Sequence, residues 1–380
     1  MIRPLWPLAL GAFALGLDAY VLAGLLPGMA RDLATTQALA GLGVALFTAA
    51  YALSAPALAF VAGRYSTRLA LLAGLGLFTL GNIATMAAPS LAVLLAARLM
   101  AGIGAGLYSP LAAASAAGMV DAGRRGRALA TVLAGLSIGT ALGVPLGLLV
   151  EHRFGWRWTI CLIVLLGLAA AAGVASRRAD GSPTMPAVAW RERLVALRAP
   201  FTFATLGVTL CTGIASLGLY TYLAEVAAAR GAAACTDAFI WSWGLGGMVG
   251  ALLIGRVIDR YLPPARATLL LLVLLGVGFV LVGWGSPAAV GVGCFLWGLA
   301  GWASVAPQQH ALVSHTPAHA TALIAWNSSI NYLGSAVGAA LGSVALGAQL
   351  SAQGLPMAAL AAVVVAILLH LFKLALTREP

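Results

Sequence analysis

The stretch from Trp6 to Ala30 reads WPLALGAFALGLDAYVLAGLLPGMA, an apolar run interrupted by a single carboxylate, Asp18. A helix needs about 20 mainly apolar residues to cross the hydrocarbon core of a bilayer, and this run is long enough. A charged side chain at the bilayer centre costs roughly 2.5–3.5 kcal/mol even on insertion scales, so such a residue usually faces a partner, a water-filled cavity or a proton path. The stretch therefore predicts a membrane helix and marks Asp18 as a functional residue.

Eleven further runs of similar character follow the first. The chain has 380 residues, of which 62% are hydrophobic and 8% charged, whereas soluble domains have about 25% charged residues. The runs are continuously apolar, unlike the strands of a membrane barrel, which alternate at every second residue. We therefore predict an all-α membrane protein with twelve transmembrane helices, at about 6–30, 38–62, 69–87, 90–119, 126–150, 158–175, 201–225, 236–258, 265–284, 287–308, 319–347 and 353–377.

The net charge of +11 is a topology signal, because most of the basic residues lie on one side of the predicted membrane. With the N-terminus inside, sixteen of the 21 basic residues fall in cytoplasmic segments, Arg98 lies within the fourth run, and four fall outside: Arg31, Arg153, Arg157 and Arg230. This asymmetry follows the positive-inside rule and predicts that both termini are cytoplasmic. We expect a multi-pass protein of a bacterial inner membrane that contacts anionic lipid and no nucleic acid.

The longest polar stretch divides the twelve predicted helices into six and six. It predicts an N-terminal bundle over 1–175, a cytoplasmic linker over 176–200 and a C-terminal bundle over 201–380. Internal similarity supports the division, since Gly63, Arg64 and Arg68 recur 192 positions later as Gly255, Arg256 and Arg260. Parallel repeats of this kind build a large class of transporters, whose substrate site lies near the midplane between the halves. We therefore expect two pseudo-symmetric six-helix bundles.

A family pattern runs through nearly the whole chain. Its residues are Leu25-Leu26-Pro27, Gly81-Asn82, Ala97-Arg98 with Gly102, Gly104 and Gly106, Gly135-Leu136-Ser137 with Gly143-Val144-Pro145-Leu146-Gly147, Gly155-Trp156-Arg157, Thr221-Tyr222-Leu223-Ala224, Pro307-Gln308-Gln309, and Asn327 with Tyr332-Leu333-Gly334. With these residues the chain resembles the major facilitator superfamily, and within it the bacterial drug and metabolite proton antiporters of the sugar-efflux-like and chloramphenicol-exporter-like kind. The resemblance implies a secondary transporter that works without a cofactor and is not an enzyme.

Two segments depart from the family pattern. The loop after the second run, residues 63–68, lacks the acid that clamps the N-terminal half in the family, whereas the corresponding loop of the second half keeps Asp259. The resemblance implies a gating role for the residues of these loops, which are Gly63, Arg64, Arg68, Asp259 and Arg260. In the antiporter motif of the fifth run, formed by Gly135, Gly139, Gly143, Pro145 and Gly147, the proline comes later than in the family. The glycines are spaced by four and share one helix face, so another backbone can approach closely.

Asp18 and Arg98 are charged residues predicted at similar depths in the first and fourth helices. Neither has a charged counterpart at the matching depth of the seventh or tenth helix. The functional interpretation is a proton-coupling pair in which Asp18 binds and releases a proton and Arg98 tunes it. Each proton that enters delivers about 2.3 kcal/mol per 100 mV. The alternative is a static buried ion pair that locks two helices together.

A cavity for a drug-sized ligand is mostly apolar and aromatic with a few polar groups. The candidates for its lining are Phe47, Tyr51, Tyr108, Tyr220, Tyr222, Trp297, Trp302, Asn327 and Asn331. Phe47 and Tyr51 are four residues apart and share a helix face, as do Asn327 and Asn331. For each ring, the alternative is ordinary packing or a place in the interfacial aromatic belt.

The predicted function is export of a small amphipathic drug or metabolite in exchange for protons, by a monomer. One alternative is an exporter of sugars, nucleosides or purines on the same fold. Another is a non-transporting membrane receptor or assembly protein, which would tolerate Asp18→Asn. The four cysteines have no paired spacing that predicts a disulfide or a metal site. His310, His315 and His319 are interpreted as solvated loop residues, and the fold by analogy does not identify the substrate.

Overall fold

The structure is a computed structural model that describes residues 5–62, 65–120, 125–176, 197, 199–316 and 319–376. Within those ranges every regular element is a helix. The chain divides into two compact units, Met1–Ala187 and Val188–Pro380. That division falls inside the predicted linker at 176–200, most of which lies outside the described residues.

The first unit contains seven described α-helices. They are α1 (Trp6–Asp32), α2 (Gln37–Ala62), α3 (Thr67–Met86), α4 (Leu91–Gly118), α5 (Arg125–Ile138), α6 (Val144–Phe154) and α7 (Trp156–Ala175). A π-helical turn, Gly139–Gly143, joins α5 to α6. Pro145 follows the turn and lacks the N–H of a regular helix, and its ring would clash with the carbonyl four residues before it, which explains why the helix widens here.

The second unit contains eight described α-helices. They are α8 (Pro200–Gly213), α9 (Leu223–Ala229), α10 (Thr236–Arg260), α11 (Pro264–Trp284), α12 (Pro287–Ala303), α13 (Val305–His315), α14 (Ala320–Gly347) and α15 (Leu355–Leu376). A π-helical turn, Ile214–Gly218, extends α8. The break at Ser304 places Pro307 in the first turn of α13, where its missing N–H costs little.

Eleven of the described helical segments are long and apolar enough to cross a membrane. The predicted span at 126–150 corresponds to α5, the π-helical turn and α6, whose α-helical parts have only 14 and 11 residues. The predicted span at 201–225 is interrupted near its end, because Thr221 and Tyr222 form a turn between the helical residues before them and α9. The predicted all-α membrane fold is confirmed.

A cluster of side chains holds α1, α3 and α7 together at one end of the first unit. Asp32, the last residue of α1, accepts hydrogen bonds from Trp156 Nε1 at 3.0 Å and from Arg157 Nη1. Arg157 also donates to the carbonyl of Ala88, after α3, at 3.4 Å. Gly155 starts α7 with a φ of +89°, a conformation that glycine adopts without strain.

Candidate functional site

Asp18 of α1 and Arg98 of α4 form a buried ion pair inside the first unit. Arg98 Nη1 donates to Asp18 Oδ1 at 2.9 Å and to Oδ2 at 3.1 Å. The side chains are 0% and 1% exposed. Taking two charges out of water is costly, and only their mutual attraction and further hydrogen bonds offset that cost.

Asn82 of α3 is the third polar member of this site, and the sequence alone did not single it out as functional. Its Nδ2 donates to Asp18 Oδ2 at 3.5 Å and to the carbonyl of Phe78 at 3.0 Å. Its Oδ1 accepts from Arg98 Nη1 at 3.4 Å. Asn82 therefore contacts both charges, and its amide can hydrogen-bond to either of them after they separate.

Phe47 of α2 completes the surroundings of Arg98. The guanidinium carbon lies 4.3 Å from the centre of the Phe47 ring, a distance at which the face of the ring attracts a cation. Two glycines allow α2 and α4 to approach closely here. A Cβ on Gly102 would overlap the carbonyl of Phe47, and one on Gly43 would lie 3.3 Å from Arg98 Cγ. Phe47, predicted to line a substrate cavity, is thus in contact with the charged pair.

The antiporter-motif glycines pack directly on α1. A Cβ added at Gly135 or Gly139 would overlap the carbonyl of Ala9 or Phe13, respectively. In return, a Cβ on Gly16 would overlap the carbonyl of Leu136. Further along, Gly143 and Gly147 lie against the side chains of Leu17 and Val21, and Pro145 is buried. The residues of α1 on both sides of Asp18 therefore pack against α5, the π-helical turn and α6. Little space for a side chain remains between them.

The second unit has a comparable contact between α8 and α14. A Cβ on Gly334 would lie 2.6 Å from the carbonyl of Leu210, and one on Gly338 would overlap the carbonyl of Ile214. A Cβ on Gly213 would in turn lie 2.6 Å from the carbonyl of Asn331. Backbone therefore packs against backbone in this pair of helices as well. Asn331, predicted to bind substrate, is half-buried at the contact.

The predicted aromatic residues of the second unit meet around a ring that sequence reasoning missed, Trp243 of α10. Tyr220 stacks on Trp243 with ring centres 4.0 Å apart. Trp297 and Trp302 approach the same ring edge-on, at 6.3 and 6.1 Å. Trp297 Nε1 donates to Ser216 Oγ at 2.9 Å, which fixes the orientation of that indole. The sequence offered no signal for Trp243 beyond its being one of ten tryptophans.

A cluster of neutral polar side chains joins α8, α13 and α14 of the second unit. Asn327 of α14 donates through Nδ2 to Thr209 Oγ1 of α8 at 2.6 Å, and the Thr209 hydroxyl donates to Gln308 Oε1 of α13. All three residues are buried. Gln308 Nε2 and Asn327 Oδ1 are buried without a hydrogen-bond partner in the described part of the chain. The cluster thus has one donor and one acceptor to spare.

The other predicted cavity tyrosines contact neighbouring helices within their own units. Tyr108 donates to the carbonyl of Leu8 at 3.0 Å, and its ring occupies the space beside Gly11. Tyr222 donates to the carbonyl of Ala339 at 2.6 Å. Tyr51 is buried in α2.

The predicted gating residues are only partly described. Arg68 donates to the carbonyl of Ala175 at the end of α7, a helix terminus where a cation is favourable. Arg260 is exposed at the end of α10. Gly63, Arg64 and the side chain of Asp259 lie outside the described residues.

Comparison with known proteins identifies relatives of this chain. The family model of the Major Facilitator Superfamily matches residues 8–339. The inner membrane transport protein YdhP of Escherichia coli K12 is 27% identical, with 99% of this chain and 97% of YdhP covered. A chloramphenicol resistance protein of Streptomyces lividans is 31% identical over 271 residues, which cover 68% of each chain. The crystal structure of the human organic anion transporter MFSD10 superposes with a TM-score of 0.67 and 19% identity, covering 97% of this chain and 98% of MFSD10, and shows likeness of fold alone.

Proposed function

This chain belongs to the Major Facilitator Superfamily, and from that premise we propose that it exports a small amphipathic drug or metabolite in exchange for protons. Membership makes it a multi-pass membrane transporter of a small molecule and not an enzyme. We propose that transport is coupled to protons, that its direction is export, and that the residues described above carry it out. We also propose that both termini are cytoplasmic and that the protein is a monomer.

The observation that carries the proposal is the fully buried pair of Asp18 and Arg98. An ionisable carboxylate inside a membrane helix is expensive and marks an ion or proton path more often than a packing position. A purely structural contact between α1 and α4 would be made at lower cost by apolar side chains of similar volume, since replacing a buried ion pair in this way is often neutral or stabilising.

Protonation of Asp18 would change the site in a defined way. The neutral carboxyl loses most of its attraction for Arg98, while the guanidinium keeps the Asn82 amide oxygen at 3.4 Å and the Phe47 ring at 4.3 Å. Arg98 can therefore remain in place without its counterion, and α1 is released from it. Transporters built from repeated halves alternate access by rocking one half against the other. We propose that the release of α1 from Arg98 is coupled to this motion.

Support for export of an amphipathic compound comes from the second unit and from one relative. The Trp243 cluster supplies aromatic rings, which are mostly buried against one another. The cluster of Thr209, Gln308 and Asn327 supplies neutral hydrogen-bonding groups, and the two together have the composition expected of a site for a drug-sized ligand. The relative from Streptomyces lividans is described as a chloramphenicol resistance protein. We propose Tyr220, Trp297, Trp302 and Asn327 as substrate contacts, with Trp243 and Gln308 added.

The experiment is proton release from purified protein in weakly buffered detergent solution. A panel of amphipathic antibiotics, sugars and nucleosides is added to wild type, to Asp18→Asn and to Asp237→Asn, a control that makes the same change near the start of α10. We expect one class of compound to release protons from wild type and from the control but not from Asp18→Asn. Equal release from all three would remove Asp18 from coupling. Binding that releases no protons from any of them would instead support the receptor alternative.

A second candidate, an exporter of sugars, nucleosides or purines, is favoured by the polar cluster alone. Gln308 Nε2 and Asn327 Oδ1 are a spare donor and acceptor, which suit hydroxyl-rich or base-containing ligands. The same panel separates the two candidates, because it contains both classes of compound.

A further inference from the structure

Lys373 is the only lysine in the chain, beside twenty arginines, and it is buried. It lies in the last turn of α15 and is 2% exposed. A cation in the last turn of a helix is favourable, but lysine is almost never fully buried unless it is paired. The position therefore needs an anion.

Two histidines lie near Lys373, one on the same helix and one on the far side of the Phe201 ring. His370, one turn earlier on the same face, is fully buried, and its Nε2 donates to the carbonyl of Ala265 at 2.9 Å. The Lys373 ammonium lies 5.6 Å from the centre of the Phe201 ring, and Phe201 stacks on His315 with ring centres 4.0 Å apart. Arg266 is exposed beside Ala265. We call Lys373, His370, His315 and Arg266 the basic cluster.

The described residues supply no anion to this cluster. Within the ranges that the structure covers, no carboxylate lies within 4 Å of Lys373, whereas Asp18 and Asp32 each have an arginine within that distance. A buried charge without a partner is strongly destabilising. The free energy lost by burying Lys373 is recovered if an anion from outside the chain binds there.

We infer that the basic cluster binds the phosphate of an anionic phospholipid of the inner leaflet. The positive-inside rule assigns this end of α15 to the cytoplasm, and basic pockets between membrane helices on that side are suited to anionic headgroups. Around the same end of α15, the side chains of Leu371, Phe372 and Leu376 are exposed and apolar, so they can contact acyl chains. A lipid whose chains lie against these side chains can place its phosphate at the end of α15, beside Lys373. The inference does not depend on the proposed transport cycle.

The single lysine provides the test. Full-length protein carrying Arg256→Lys as an exposed reference amine is placed in nanodiscs of phosphatidylcholine, of phosphatidylcholine with phosphatidylglycerol, or of phosphatidylcholine with inorganic phosphate in solution. Both amines are acylated with a water-soluble succinimidyl ester and followed by mass spectrometry. The ratio of the two rates removes the effect of surface potential on the reagent and on local pH.

We expect phosphatidylglycerol to slow Lys373 several-fold relative to the reference amine, and inorganic phosphate to have no effect. Equal protection by inorganic phosphate would replace the lipid with a soluble phosphate, and no protection in either arm would overturn the site. Carboxylates outside the described residues are the competing counterions, and Glu379 is the one nearest to Lys373 along the chain. If Glu379→Gln speeds labelling of Lys373 in neutral membranes, a carboxylate of the chain already holds the ammonium and the lipid assignment is overturned.

A stability measurement separates the charge from the shape of the side chain. Phosphatidylglycerol should raise the thermal midpoint of wild type and of Lys373→Arg, and should raise that of Lys373→Met clearly less. The same increase in all three proteins would contradict a phosphate site at this position.

Discussion

A single nitrogen of Arg98 donates to both carboxylate oxygens of Asp18, at 2.9 and 3.1 Å. A fork-to-fork pair would use two nitrogens of the guanidinium and would be harder to separate. Here Arg98 Nε is buried without a hydrogen-bond partner in the described part of the chain. The contact therefore joins two full charges but leaves the hydrogen bonding of Arg98 incomplete.

Removal of Arg98 should destabilise the protein only while Asp18 remains charged. Arg98→Met leaves a buried carboxylate without its cation, a loss of about 3–5 kcal/mol. In the Asp18→Asn background the same change removes no ion pair, so the drop in thermal midpoint should be much smaller. The double-mutant cycle in detergent measures the coupling. Equal drops in the two backgrounds would show that the pair contributes nothing to folding.

Substitution of Asn82 should alter the pH dependence of transport more than the fold. Asn82→Ala removes a donor to Asp18 and an acceptor for Arg98, so proton binding at Asp18 changes. We expect the pH profile of uptake into inverted vesicles to shift. The matched control is Thr85→Val, one turn along α3, whose buried hydroxyl bonds only its own helix. A shift of the same size in the control would argue against a role for Asn82.

Gly139→Ala should destabilise the first unit, because its new Cβ would overlap the carbonyl of Phe13. Overpacking of this kind costs about 1–3 kcal/mol. Gly76→Ala in α3 is the control, since a Cβ there meets nothing within 4 Å. The fraction of monodisperse protein after heating compares the two variants. If both behave alike, the contact between α1 and the π-helical turn has more room than the structure indicates.

Thr209→Val should weaken substrate binding. The change preserves shape but removes the hydroxyl that joins Asn327 to Gln308, so both amides lose their fixed orientation. We expect the apparent KM of transport to rise about tenfold, equivalent to about 1.4 kcal/mol. Thr212→Val, three residues later, is the control, because that hydroxyl bonds only carbonyls of its own helix. An unchanged KM in Thr209→Val would remove the polar cluster from the proposed binding site.

Hydropathy fixes the depth of a residue in the membrane, and this explains what the sequence could predict. Asp18 and Arg98 stand out because charges are rare in apolar runs, and their matching depths allowed an encounter. Depth does not give the rotation of a helix about its axis. Asn82 was therefore missed, although its position beside Gly81 belongs to the family pattern. Tyr108 was predicted to line a cavity, but its hydroxyl bonds the backbone of α1.

Composition and hydropathy also do not predict the breaks within helices. The π-helical turn at Gly139–Gly143 and the turn at Thr221 and Tyr222 leave the hydropathy of their runs almost unchanged. Both depend on local backbone geometry, which Pro145 and the glycines permit but do not specify from sequence alone. Trp243 was missed for a related reason. The sequence does not distinguish a tryptophan at the centre of an aromatic cluster from one that faces lipid.

The contacts of α1 with α5 and of α8 with α14 join main chain to main chain, so they contain almost no side chain that substitution can vary. A transporter acquires new substrates by exchanging side chains, and these four helices offer few positions for it near their glycines. Changes in substrate are therefore expected to come from substitutions in the ring-bearing helices α10 and α12 and at positions away from the glycines, such as Thr209 and Asn327, while the glycine contacts stay constant.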